Sequence, residues 1–186
     1  MTMQAENNGR RRGARWWRVL PWLGALALLA APAAAMRLGT DVDWTAFDFI
    51  VAGVMLAVPL TVFELALRAS GSLAYRAGAV VALGTAFLIT LSNLAVGIIG
   101  NENDPINLIF FGVIFIAIAG AFLASFRAKG LAVAMTVTAA AQAATAVVAL
   151  IGGDFVFVII GVFMTGWLMS AWLFRKAAEA TAQASG

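Results

Sequence analysis

Eleven of the chain's twelve lysines and arginines fall in every second break between its apolar stretches. Arg10, Arg11, Arg12, Arg15 and Arg18 precede the first stretch, and Arg68 and Arg76 lie between the second and third. Arg127 and Lys129 separate the fourth from the fifth, and Arg175 and Lys176 follow the sixth. Only Arg37 occupies the alternate breaks, which hold Asp41, Asp43, Asp48, Glu102, Asp104 and Asp154. Loops rich in Lys and Arg stay cytoplasmic, so the pattern predicts six transmembrane helices with both termini cytoplasmic. Trp16, Trp17, Tyr75 and Trp172 fall at the inner interface and Trp44 at the outer one, where amphipathic rings settle.

The apolar stretches place the helices at 19–36, 47–67, 77–100, 106–126, 131–152 and 155–174. Most approach the ~20 residues needed to cross ~30 Å of hydrocarbon. Residues 1–18 read as a basic cytoplasmic tail, expected to be disordered, and 175–186 as a cytoplasmic C-terminal tail. The fold class is thus all-α: a polytopic membrane protein, a six-helix bundle with almost no extramembrane domain. Residues 1–35 carry a second reading. A basic start, an apolar run and Ala33-Ala34-Ala35 also describe a cleavable signal peptide. A retained helix is favoured, because further spans follow.

Composition supports the class and narrows the chemistry. Apolar residues make up 63% of the 186 and charged ones 11%, against about a quarter charged in soluble domains. The net charge of +3 forms no continuous basic patch, so nucleic acid is not an expected partner. Without Cys or His, thiolate and imidazole sites are excluded, and with them His-based catalysis and haem ligation. Lys129 and Lys176 stand at segment ends, which argues against a Schiff-base cofactor, so no cofactor and no metal are expected.

A few residues remain as candidates. Past the capping Asp48, Glu64 is the one ionisable residue inside a span, about 10 Å from the middle of its segment by helical rise. It shares a face with Gly53, Ala57 and Arg68, one turn beyond Pro59. Either it handles a proton or cation, or it pairs with Arg68 at i,i+4 and reaches for the interface. Gln142 lies near the midplane of the alanine-rich fifth segment, in a stripe with Thr138 and Thr145. Thr85, Thr90, Ser92 and Asn93 are its possible partners across the bundle, as interhelical glue or as a polar path. Outside, Asn101, Glu102, Asn103, Asp104 and Asn107 concentrate oxygen ligands, a weak pattern for a hard cation. Cap and turn chemistry explains the same residues, together with Asp154 after Gly152-Gly153 and the Thr45-x-x-Asp48 capping box.

Small residues mark packing faces: Ala117, Gly120, Ala121 and Ala124 in segment four, Gly161 and Thr165 in segment six. Trp167 is expected to meet lipid. A faint echo of AVGIIG (95–100) in VALIGG (148–153) hints at a duplicated hairpin.

The runs NLAVGIIG (93–100), NENDPINL (101–108) and SAWLFRKAA (170–178), with Asp48-Phe49 and Tyr75-Arg76, resemble a group of short, uncharacterised bacterial integral membrane proteins. The likeness covers residues 44–178 and implies a bacterial inner-membrane protein, with no activity to carry onto any residue. The expected function is therefore non-enzymatic, acting in the lipid bilayer through helix packing with itself or a membrane partner. The alternative is a small proton- or ion-coupled transporter or channel-like protein. A membrane enzyme built on Asp43, Asp104 and Asp154 comes last, since no spacing organises those acids.

Overall fold

The computed structural model describes residues 2–39, 41–101, 103–153 and 156–184. Among these, every regular element is a helix: α1 (Thr2–Arg37), α2 (Ala46–Ala69), α3 (Leu73–Ala95), a single 3-10 turn (Pro105–Asn107), α4 (Leu108–Leu123), α5 (Ala128–Gly152) and α6 (Phe157–Gln183). All six α-helices are long and apolar enough to cross a membrane, with α1 qualifying over Arg18–Arg37 and α4 together with its 3-10 turn.

The boundaries depart from the hydropathy limits where backbone chemistry overrides it. The third helix stops at Ala95, not 100, because Gly97 and Gly100 adopt φ of 70° and 65°, left-handed conformations that no helix continues through. It begins earlier than 77, at Leu73, where the Ser72 hydroxyl accepts from Tyr75 N–H and caps the first turn. The sixth helix runs on to Gln183, since Ala-rich sequence sustains a helix beyond the apolar span. Likewise α1 is helical from Thr2, through the stretch read as a disordered tail. The AVGIIG echo also fails: those residues leave the helix, whereas their counterparts stay helical to Gly152.

The chain divides into two units, 1–62 and 63–186. In the first, α2 opens with the expected capping box. Asp48 Oδ2 accepts from Thr45 N–H at 2.7 Å, and Thr45 Oγ1 accepts from Asp48 N–H at 3.3 Å. No residue of the Arg18–Arg37 span is buried.

In the second unit α3 packs mainly on α6, α6 on α5 and α5 on α4. Where lipid surrounds helices, apolar burial gives no net drive, so close van der Waals approach has to hold them together. Glycine permits it. A Cβ at Gly78 would lie 3.2 Å from the Phe174 ring, one at Gly120 2.8 Å from Ala134 Cβ, and one at Gly130 2.7 Å from Ala124 Cβ. At Gly166 it would overlap Thr85 Oγ1. The α4 small-residue face is therefore filled by α5 within the chain. The α5 stripe is buried, with Thr138 and Gln142 fully enclosed.

Candidate functional site

Glu64 stands in the last turns of α2, and Arg68 is one turn on. The Arg68 guanidinium donates to Glu64 Oε1 from Nη2 at 3.3 Å and Nε at 3.4 Å. Glu64 is partly buried, while the arginine side chain is 67% exposed. The geometry is that of an i,i+4 pair at a helix end. Beside it, Arg76 donates from Nε to Ser70 O at 2.9 Å and from Nη2 to Leu67 O at 3.2 Å, so a guanidinium from α3 closes the C-terminus of α2.

Gln142 turns to its own helix. Its Nε2 donates to Thr145 Oγ1 at 3.3 Å, and that hydroxyl donates to Gln142 O at 2.6 Å. The segment-three hydroxyls anticipated as partners also bond locally: Thr85 Oγ1 to Val81 O and Thr90 Oγ1 to Ala86 O. Asn93 reaches the loop instead, donating from Nδ2 to Asn107 O at 2.9 Å. Glu64, Gln142 and Asn93 thus occupy three separate settings and form no common belt. Buried Gln142 Oε1, Asn93 Oδ1 and Trp167 Nε1 have no hydrogen-bond partner among the described residues.

The outer loop is organised by Asn107, which is buried. Its Oδ1 accepts from Ile98 and Ile99 N–H at 3.0 and 2.9 Å, and its Nδ2 donates to Ile99 O and Asn101 O, both at 2.8 Å. One amide thereby replaces the backbone partners that a loop leaving a helix lacks. Asp104 Oδ1 accepts from Ile106 N–H and Asn101 Oδ1 from Asn103 N–H, so both oxygens close Asx turns. Among the described residues, no three of His, Cys, Asp and Glu converge as a metal site. Glu102 and Asp154 lie outside the described residues. Sequence reading missed Asn107 as the organiser; the signal was an amide wedged between Ile106 and Leu108, two apolar residues, after the turn glycines.

Trp167 corrects an expectation. It is 1% exposed, in the core, because α6 turns it towards the bundle. The outward tryptophan is Trp172, which carries Lys176 Nζ 3.9 Å above its ring. An open groove of about 530 Å³ lies between α3 and α6, lined by Leu88, Ser92, Ile159, Val162 and neighbouring apolar side chains. Of the candidate polar residues Ser92 lines it, whereas Glu64, Gln142 and Asn93 do not. As built, these residues supply caps, turns and packing. Comparisons with protein-family models, with curated proteins and with solved structures found no match.

Proposed function

We propose that this chain is a non-enzymatic bacterial inner-membrane protein that acts through helix packing with a second copy or a membrane partner. One contrast carries the reading. The small-residue face of α4 is occupied by α5, whereas within its own unit a Cβ at Gly53 of α2 would meet nothing within 4 Å. Gly53 and Ala57 share a face by helical spacing, and small residues are where membrane helices approach closely. The alternation of loop charge supports cytoplasmic termini. A transporter has less support, because Glu64 is paired and nothing joins it to Gln142 or Asn93. An enzyme has least, since Asp104 serves as a cap.

The chain contains no Cys, so single cysteines can be placed at will. Cross-linking in native membranes is expected to trap a larger species from Gly53→Cys and Ala57→Cys. Val54→Cys and Val58→Cys, about a quarter-turn round the helix, should stay monomeric. Equal cross-linking at all four positions, or at none, overturns the reading.

A further inference from the structure

Three arginines far apart in sequence are gathered by the aromatic residues that precede them: Tyr75-Arg76, Phe126-Arg127 and Phe174-Arg175. Tyr75 Oη donates to Phe126 O at 2.9 Å, and its ring meets Phe174 edge-on at 5.2 Å between centroids. Tyr75 and Phe174 are both buried. Each arginine is the next residue in the chain after a member of this knot. Arg68, Lys129 and Lys176 flank the same end, so six cations face two carboxylates, Glu64 and Glu179. Glu64 is already engaged by Arg68, and Arg76 by the α2 carbonyls. Arg127, Lys129, Arg175 and Lys176 are exposed.

The backbone adds to this field. Arg127 is the N-cap of α5, with extended backbone, no side-chain capping bond and no acid in the first turn. The positive end of a 25-residue helix therefore opens among the cations. Packing has concentrated like charge here, where repulsion alone would disperse it. Trp172 carries Lys176 at this end, and tryptophan and lysine are the residue types that gather at headgroup level. We infer that this end binds the phosphate headgroups of anionic phospholipids, with Arg127 and Arg175 as the principal contacts. Guanidinium forks match phosphate oxygens in pairs. The inference rests on the six spans and on neither the orientation nor the packing partner.

The test uses the full chain in nanodiscs of zwitterionic lipid with a minor fraction of phosphatidylglycerol, and native mass spectrometry to read which lipid is retained. Wild type is expected to enrich phosphatidylglycerol. Arg127→Gln and Arg175→Gln should each lower that enrichment about fivefold, and the double variant more than tenfold. Arg37→Gln, which removes the same charge from a different break, should leave it unchanged. Undiminished enrichment in the double variant overturns the proposal, as does an equal loss in Arg37→Gln, which marks bulk charge. Displacement of the lipid by millimolar inorganic phosphate also overturns it, in favour of a soluble-anion site, and displacement by an acidic polypeptide does so in favour of a protein surface. Should the double variant lose its helical circular dichroism, the two single variants at exposed positions carry the test.

Discussion

At one end of the α3–α6 bundle the chain is tied by rings, and at the other by amides. The ring end joins Tyr75, Phe126 and Phe174 through one long-range hydrogen bond and an edge-on contact, and sends its charges outward. The amide end folds residues 96–101 and 103–107 around Asn107, whose side chain makes four hydrogen bonds, and around Asn93. The connections differ in length, and that explains the chemistry. Between α4 and α5 only four residues intervene, so few backbone groups need partners. The α3–α4 connection is longer and partly buried, and irregular backbone at that depth persists only where polar partners meet it. Each end thus carries as much polar machinery as its connection demands.

This contrast can be broken by measurement. The largest effect is expected from Asn107→Ala, which strands the buried N–H groups of Ile98 and Ile99; unfolding in mild detergent should show a loss of about 3 kcal/mol or more. If the loss is under about 1 kcal/mol, the loop does not depend on the amide. Between the ends, Gly120→Leu forces a side chain into Ala134 and should cost about 2 kcal/mol by overpacking. The readout is a lower midpoint with unchanged particle size. A change in oligomer size at constant stability would return that face to an intermolecular role. Tyr75→Phe should cost least, about 1 kcal/mol, because the ring contact with Phe174 survives and only the bond to Phe126 O is lost. A cost equal to that of Asn107→Ala would erase the distinction between rings and amides.

Much of the fold was readable because lipid imposes it. Length, hydropathy and loop charge define six helices whatever their neighbours, and the span limits fall within about five residues of expectation except at the end of α6, which runs nine residues further. Faces were harder. In water, an apolar stripe points inward, but in a bilayer both the core and the surroundings are apolar, so Trp167 and Trp172 look alike on paper. Only packing separates the buried ring from the exposed one. The α5 stripe was readable because its polar residues recur at helical spacing. The oxygen-rich loop was ambiguous for another reason. Asn and Asp serve backbone N–H groups or cations equally well, and the choice fell on the backbone once Gly97 and Gly100 had turned the chain. Of the two readings of Glu64, the contact with Arg68 was the legible one, because i,i+4 geometry is fixed within one helix.

The hydrogen bond from Ser170 Oγ to Gly78 O spans 92 residues. Helix α3 therefore leaves the ribosome three helices ahead of the partner it packs against. Until α6 is threaded, the face bearing Gly78, Thr85 and Ile89 has only lipid or the insertion machinery to lean on, while α4, α5 and α6 can zip together in order of synthesis. The α3 seam therefore closes only when α6 arrives, and a chain released before α6 emerges leaves that seam open in the membrane.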